Sequence, residues 1–413
     1  MKNKSDEQPV FPDLRSVTKD TFPQSLPAKM EVTIVMPCLN EADTLAACVR
    51  KARQSLTDAS IEGEVLVADN GSTDGSTEIA LKSGARVVHV AQKGYGNALR
   101  EGIRAAQGRF IIMGDADDSY DFRETPKFIA KLREGYDLVQ GCRLPSGGGH
   151  VMPGAMPFTH RWVGNPMFSF MARRMFAVPI HDVYCGLRGF TKDLYDGLQL
   201  RCTGMEFATE MIIKASLGGA RMAEVPITLH LDGRLAHVPH LRTVRDGWRT
   251  LRFFLLLSPK WLFLVPGLGL IFVGLAGYAI ALPGLAIHGI NFDAHTLLFS
   301  SLAILLGYQS GLFAILAKTF AVNEGLLPED RWFRQFFGVM NLERGLLLGA
   351  ASFVAGIGLL VAAVRQWWLV GLGHLDYAHT MRWVIPGVTL AALGCQTVLS
   401  GFFVSILGLK RGG

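Results

Sequence analysis

The solvent preference of this chain changes abruptly near Lys260, and few architectures accommodate such a change. Upstream, charged, polar and apolar residues alternate as they do in soluble α/β proteins. Downstream come four runs without a single Asp, Glu, Lys or Arg, at 263–287, 296–317, 345–364 and 383–409. Each holds the ~20 apolar residues that a helix needs to cross a hydrocarbon layer about 30 Å thick, so four membrane spans are expected. A chain of 413 residues that is 49% hydrophobic is too long for one core and too apolar for a purely soluble protein. The expected organisation is a disordered polar tail over 1–30, a soluble domain over 31–240, an amphipathic juxtamembrane helix over 241–260 and a four-span domain over 261–413.

Charge orients this arrangement. The tail carries Pro12, Pro23 and Pro27 but no apolar segment of the kind that directs secretion, so the soluble domain is expected in the cytosol. The formal net charge is +6, but the basic residues form no groove interleaved with stacking aromatics, and no nucleic-acid partner is expected. They gather beside the apolar runs instead. Arg242, Arg245, Arg249 and Arg252 recur at helical spacing with Leu241, Val244, Trp248, Leu251 and Leu255 between them, the pattern of a helix lying on an anionic membrane surface. A soluble surface helix is the plainer alternative. Arg331, Arg334 and Arg344 between the second and third runs, with Lys410 and Arg411 at the end, place those segments and both termini on the inner side of a cytoplasmic or plasma membrane. The six cysteines lie scattered without a CxxC pair, so packing is their expected role and no disulfide framework or zinc site is expected.

Within the soluble domain short apolar runs alternate with helical patterns, as in an α/β layer fold with a mostly parallel sheet. Strands are expected at 32–36, 64–68, 86–90, 110–113 and 138–141, with helices at 44–55, 76–83, 97–106 and 124–134. In such sheets ligands bind beyond the carboxyl ends of the strands. Three polar segments share that address, since 37–41, 69–74 and 115–118 each follow a strand directly. The segment 145–157, with Gly147, Gly148 and Gly149 in succession, reads as a flexible loop over the same face.

Asp115-Ala116-Asp117-Asp118 packs three carboxylates into four residues, and their repulsion is costly unless a cation neutralises it. Residues i and i+2 of an extended segment point the same way, so Asp115 and Asp117 can face one Mg2+ or Mn2+ ion bridging the diphosphate of a nucleotide-sugar. An acidic turn capping the next helix explains the same residues without a metal. Asp69-Asn70-Gly71 offers a carboxylate to a base or ribose through a tight turn, or is a turn and cap and nothing more. Lys93-Gly94-Tyr95-Gly96 leads into a helix and can set a cation and backbone N–H groups against phosphates, although it lacks the full dinucleotide-binding pattern.

Together, Val35-Met36-Pro37-Cys38-Leu39-Asn40-Glu41, 69–74, 93–98 and 115–117 occur in an order that resembles family 2 glycosyltransferases of the dolichyl-phosphate-mannose and polyprenyl-phosphate-glucose synthase type. The resemblance runs from Val32 to Lys260, through Gly141-Cys142-Arg143, Asp182, the stretch from Cys185 to Phe190, Met205-Glu206-Phe207 and the stretch from Glu224 to Ile227. It implies a GT-A fold with Pro37, Leu39, Asn40, Glu41, Asp69, Asn70, Lys93, Gly94, Asp115, Ala116 and Asp117 around the nucleotide-sugar, and Asp115 and Asp117 at Mg2+ or Mn2+. It further implies Asp117, Arg143 and Arg234 as catalytic residues, Arg143 and Arg234 near the donor diphosphate or the acceptor phosphate, and Arg188 and Arg234 at an acceptor phosphate, with His240, Arg242 or Arg245 expected to take over where the family's Ser-Lys pair is absent. Three departures stand out. Asn70 replaces the family's common second aspartate, Ser119 is the only polar side chain after the acidic motif fit to complete a metal shell, and Pro239-His240 replaces a Ser-Lys pair.

The reaction so implied is inverting transfer of a hexose from a UDP- or GDP-sugar to polyprenyl phosphate in the membrane. A phosphate with its second pKa near ~6 is largely dianionic at neutral pH and attacks without a strong general base. Glu206 and Glu210, on one helical face, would orient acceptor-binding arginines or form an ordinary solvated surface. Gln309, Ser310 and Gln396 are expected to bond between spans, and Gly307 with Gly311 leaves an oligomer open. A processive polysaccharide synthase would carry a QxxRW motif, but Pro328 stands where its Gln would precede Arg331-Trp332. The alternatives that remain are a different membrane or glycan acceptor, and a non-enzymatic transporter or regulator of lipid-linked sugars.

Overall fold

The computed structural model describes residues 30–234, 243–287 and 290–408. The tail before Met30, the expected phosphate ligands His240 and Arg242, and Lys410 and Arg411 lie outside the described residues. The chain divides into two compact units at the junction of Phe254 and Leu255.

The first unit contains strands β1 (Met30–Cys38), β2 (Gly63–Asp69), β3 (Arg86–His89), β4 (Gly108–Met113), β5 (Leu138–Cys142), β6 (His150–Val151), β7 (Arg188–Thr191), β8 (Met222–Pro226) and β9 (Thr228–Leu229). Its helices are α1 (Leu45–Asp58), α2 (Ser76–Lys82), α3 (Tyr95–Ala105), α4 (Thr125–Arg133), α5 (Asn165–Phe176), α6 (Lys192–Leu198), α7 (Glu206–Leu217) and α8 (Thr243–Leu256). Seven strands form one sheet in the order β3-β2-β1-β4-β7-β5-β8. The first four in that order are parallel neighbours, β7 runs antiparallel between β4 and β5, and β8 is parallel to β5. The mostly parallel α/β architecture is therefore present.

Burial explains why these segments are strands. Val32, Ile34 and Met36 face one core while Val35 faces the other, and Val65, Val67 oppose Leu66, Ala68 in the same way. Phe110 and Ile112 oppose Ile111 and Met113. A period of two with apolar residues on both sides is what a sheet covered on both faces requires. One cover consists of α1, α2 and α4, through Cys48, Val49, Ala80, Phe128 and Ile129; the other consists of α3, α6 and α7, through Leu99, Ile103, Leu198, Phe207 and Met211. Gly102 lets α3 lie directly on the sheet, because a Cβ there would sit 2.7 Å from Val35 Cγ1.

From β1 the sheet grows outward to β3, then the chain returns to the other side of β1 as β4. That reversal puts the carboxyl ends of β1 and β4 side by side, the position at which open α/β sheets bind ligands. The segment 145–157 is not the free loop expected from its glycines. It contains a 3-10 turn at Pro145–Gly147 and β6, which pairs in parallel with β9. Its glycines permit close approach: any side chain at Gly149 would collide with the main chain of Cys142 and Arg143, and Gly148 has φ +79°. Helix α8 docks on α5 through Phe254, whose ring meets Phe176 at 5.6 Å and Phe168 at 6.1 Å, while Trp248, Arg249 and Arg252 are exposed.

The second unit consists of α9 (Val265–Ala281), entered through a π-helical turn at Lys260–Leu264, then α10 (Ala294–Asn323), α11 (Arg331–Val339), α12 (Leu342–Leu369) and α13 (Tyr377–Gly408). Among the described residues four helices, of 22, 30, 28 and 32 residues, are long and apolar enough to cross a membrane. The first ends at Ala281, earlier than its apolar run. Pro283 and Gly284, the latter at φ +71°, break the helix, and Ala286–Ile287 pairs instead with Ile290–Asn291. Glycines set the helix spacing within this bundle. A Cβ at Gly356 would lie 2.6 Å from Gly387 O, one at Gly349 3.0 Å from Gly394 O, and one at Gly267 2.8 Å from Gly307 O. Gly307 thus packs inside its own bundle. Ser310 Oγ donates to Phe263 O at 2.7 Å, as expected for a polar residue between spans.

Candidate active site

The site is built where β1, β2 and β4 run out. Beyond β1 the chain turns through Asn40 at φ +59°. Asn40 N–H donates to Ser72 Oγ and Asn40 Oδ1 accepts from Thr73 N–H, both at 2.9 Å, which ties the first polar segment to the second. Pro37 is half-buried at the strand end and Leu39 beside it is exposed. Asp69 is buried and accepts N–H bonds from Gly71 at 3.3 Å and Ser72 at 3.0 Å. Burial alone would raise its carboxyl, but hydrogen bonds from Ser72, His89 and Gly71 outweigh it and hold the group below the usual carboxylate range.

Asn70 does not face open solvent. Its Nδ2 donates to Val90 O at 3.2 Å and Gln92 O at 2.8 Å, and its Oδ1 accepts Gly94 N–H at 2.7 Å. A carboxylate cannot make the first two bonds, which accounts for an amide where the resembled family commonly has an aspartate. The side chain therefore acts through the Lys93-Gly94 turn. Lys93 Nζ folds back onto Asn70 O at 2.6 Å.

In the acidic segment, Tyr95 Oη donates to Asp115 Oδ1 at 2.9 Å. Burial, then repulsion from Asp117, pushes the Asp115 carboxyl up to about 6, against the Tyr95 hydrogen bond and the charges of Arg234 and Arg188. Asp117 Oδ1 accepts from Ser119 N–H at 3.0 Å and Ser119 Oγ at 2.6 Å, a local turn. Asp118, at φ +60°, points instead to Lys51 Nζ at 2.7 Å. Ala116 O accepts from Thr44 Oγ1 at 2.6 Å, which joins this segment to the start of α1. Capping of the following 3-10 turn falls to Asp121, which accepts from Arg123 N–H.

Arg234 arrives from far along the chain. Past β9, His230 N–H donates to Ser119 O and Gly233 N–H to Asp117 O, both at 2.9 Å, so this stretch runs beside the acidic segment. The guanidinium grips Glu41 through two bonds of 2.8 and 2.6 Å and lies 3.4 Å from Asp117 Oδ2 and 3.0 Å from Asp232 Oδ2. Glu41, Asp117 and Arg234 thus come together in one cluster.

Two other expected arginines are differently engaged. Arg143 was expected to meet a diphosphate or phosphate, but its Nε and Nη2 bind Asp182 at 2.7 and 2.9 Å and its Nη1 lies 3.4 Å from Tyr120 Oη, all buried. It braces Tyr120 instead of offering a free cation. Arg188, expected at the acceptor phosphate, is 1% exposed and spends Nη1 and Nη2 on Ala208 O and Cys185 O at 2.6 and 2.8 Å. A phosphate does not reach a guanidinium so enclosed. Glu210 likewise orients no arginine side chain; its carboxylate accepts N–H bonds from Arg201 and Cys202 and pairs with Lys214 at 2.9 Å. Tyr95 lies in the 93–98 motif and Asp182 among the residues of the resemblance, but the sequence assigns neither of them, nor Tyr120, a partner, because Asp115 and Arg143 are met only through the fold.

Among the described residues no three His, Cys, Asp or Glu side chains converge to form a ready-made metal site. The available donor set is the Asp115–Asp117 pair, hard oxygens whose repulsion a dication would relieve. That set suits Mg2+ or Mn2+, ions commonly bound through one or two carboxylates with the rest of the shell from water and substrate phosphates. Burial pushes the Cys38 thiol up to about 11 and the Cys142 and Cys185 thiols up to about 12, so all three stay protonated, as packing residues do.

The profile for "Glycosyl transferase family 2" matches residues 33–198, and that for "Glycosyltransferase family 2 C-terminal transmembrane region" matches 315–408. The low-salt glycan biosynthesis hexosyltransferase Agl6 of Haloferax volcanii is 34% identical over 380 residues, covering 91% of this chain and 89% of its own. The dolichyl-phosphate hexose transferase of the same organism is 30% identical over 198 residues, 48% of this chain and 82% of its own. Among solved structures, glucosyl-3-phosphoglycerate synthase from Mycobacterium tuberculosis, in complex with Mn2+, UDP-glucose and phosphoglyceric acid, aligns with 55% of this chain and 79% of its own at 22% identity and a TM-score of 0.43.

Proposed function

The chain belongs to glycosyltransferase family 2, with the C-terminal transmembrane region of that family, and from this premise we propose that it moves a hexose from a UDP- or GDP-sugar to a polyprenyl phosphate, with inversion, at the cytoplasmic face of its membrane. The observation that carries this reading is the pair Asp115 and Asp117 at the end of β4, set against Arg234 and Glu41 at the end of β1. The likeness to the hexosyltransferase Agl6 and to the dolichyl-phosphate hexose transferase supports a hexose and a lipid-phosphate acceptor.

Asp115 and Asp117 would hold Mg2+ or Mn2+, which supplies positive charge to the departing nucleoside diphosphate. The protein's own groups do the rest. Asp69, kept ionised by its hydrogen bonds, accepts from the nucleoside, and, with the N–H groups of Gly94 and Asn97 already bonded to Asn70 and Thr203, those of Tyr95 and Gly96 at the start of α3 meet the diphosphate. Arg234 brings positive charge to the attacking phosphate and draws it into line, and no side chain need remove a proton from an acceptor already dianionic. His240 and Arg242 remain proposed contacts of that phosphate. Arg143 supports Tyr120 from behind.

An apolar face on the catalytic unit supports an acceptor that lies in a membrane. Phe158, Trp162, Val163, Met167 and Phe170 are between 46% and 74% exposed, and the Arg161 guanidinium lies 5.3 Å over the Trp162 ring. Trp162, Val163, Met167 and Phe170 recur at helical spacing, the pattern of a helix that dips into a bilayer interface.

The deciding assay is transfer of label from a panel of UDP- and GDP-hexoses to polyprenyl phosphate by the purified protein in detergent, with and without Mn2+ or Mg2+. A mild-acid-labile labelled lipid of inverted configuration, formed only with metal and lost in Asp117→Asn, is the expected result. Donor hydrolysis without lipid product would move the acceptor to a glycan or protein, and a retained anomer would overturn direct displacement.

A further inference from the structure

We infer that Tyr95 is a positioning residue that aims the Asp115 carboxylate at the divalent cation, an inference that rests on the metal reading given above. Three observations carry it. Asp115 is held at both of its oxygens. Oδ1 accepts the Tyr95 hydroxyl at 2.9 Å, and Oδ2 lies so close over Gly186 that any Cβ there would collide with it and come within 3.0 Å of the Tyr120 ring. The carboxylate therefore has one oxygen fixed by a donor and the other confined by a wall of main chain.

The hydroxyl also comes from a rigid element. Gly94 N–H is bound to Asn70 Oδ1 at 2.7 Å, Asn97 N–H reaches Thr203 O at 3.3 Å, and a Cβ at Gly96 would lie 2.7 Å from the carbonyl carbon of Thr203. Glu210 in turn fixes the segment leading to Thr203 through the N–H groups of Arg201 and Cys202. A donor anchored in this way imposes its direction on the carboxylate it binds.

Finally, Asp115 is a carboxylate that Asp117 repels. The Tyr95 hydroxyl opposes rotation of Asp115 away from its neighbour and so keeps its carboxylate turned toward the cation that Asp117 would share. The same bond couples the Lys93-Gly94 turn to the acidic segment, so the diphosphate-facing turn and the metal-facing carboxylate are set by one residue.

The test is Mn2+ affinity of the full-length protein in detergent with UDP present, read from the free-ion electron paramagnetic resonance signal, for the wild type, Tyr95→Phe and Asp115→Asn. Tyr95→Phe is expected to weaken Mn2+ binding about tenfold or more while still melting cooperatively as a folded protein without metal. Asp115→Asn is expected to abolish it. Wild-type Mn2+ affinity in Tyr95→Phe, with binding lost in Asp115→Asn, would overturn the role of Tyr95 and leave the metal reading standing. Unchanged binding in Asp115→Asn would remove the metal reading and this inference with it. If Tyr95→Phe does not fold, Tyr95→Met, which likewise lacks the hydroxyl donor, is read by the same signal, and wild-type Mn2+ affinity there overturns the role of Tyr95.

Discussion

Asp115 and Asp69 sit at the ends of β4 and β2, on either side of β1, and their carboxyls are shifted in opposite directions. Asp115 has a folded-state pKa of about 6, above the ~3.9 of an unfolded aspartate, so between those values the folded chain binds the extra proton. Its contribution to stability is present at low pH and lost as pH rises through about 6. At neutral pH this residue destabilises the metal-free fold. We predict that Asp115→Asn raises the melting temperature by ~3 °C or more at neutral pH, that the gain disappears toward pH ~4, and that Mn2+ no longer stabilises the variant. Thermal melts at both pH values check this, and an unchanged or lower melting temperature at neutral pH would refute it. Asp69 behaves in the reverse sense, since its depressed pKa stabilises the fold above the unfolded value and that support is lost as pH falls. Asn70 makes a sharper residue-level case. Restoring the family's common acid by Asn70→Asp sets a carboxylate against Val90 O and Gln92 O. A rise of about tenfold in donor KM is expected, because two donor bonds are exchanged for repulsion and the Lys93-Gly94 turn loosens. Steady-state kinetics with varied donor measures it.

At the scale of elements, legibility followed period and length. The five strands read from apolar runs lie within two residues of their observed bounds, because their two-sided apolar alternation is local information. β7 escaped, since Arg188-Gly189-Phe190-Thr191 is too short for a period and owes its pairing to β4 and β5. The glycines at 147–149 misled in the opposite way, for the same residue type marks mobility and close packing. Gly149→Ala is accordingly expected to destabilise the catalytic unit by about 1–3 kcal/mol, measured by chemical denaturation, where a mobile loop would tolerate it. The exposed face around α5 makes a separate prediction. Trp162→Asp with Phe170→Asp should cut transfer to long-chain polyprenyl phosphate in liposomes severalfold while leaving donor binding in detergent intact, and equal activity in liposomes would count against membrane contact there.

At the scale of the whole molecule, the basic residues Arg331 and Arg334 of α11 lie between α10 and α12, whereas the turn between α12 and α13 is poor in Lys and Arg. With the catalytic unit cytoplasmic, an impermeant maleimide added outside right-side-out vesicles should label a cysteine introduced at Leu372 and spare one at Gly338, and the converse would invert the proposed orientation. Composition and period alone determined that this chain has a soluble α/β part and four apolar spans, because burial and main-chain hydrogen bonding are satisfied segment by segment and leave a local imprint. The motifs at strand ends were legible for the same reason, each being contiguous. Only the tertiary structure decided which charged groups meet: Tyr95 with Asp115 across 20 residues, Arg143 with Asp182 across 39, Arg234 with Glu41 across 193. Those pairings are set by strand order and by the return of the chain past β9. An arginine's partner depends on which carboxylate the fold brings within about 3 Å, and a linear sequence holds no record of that distance.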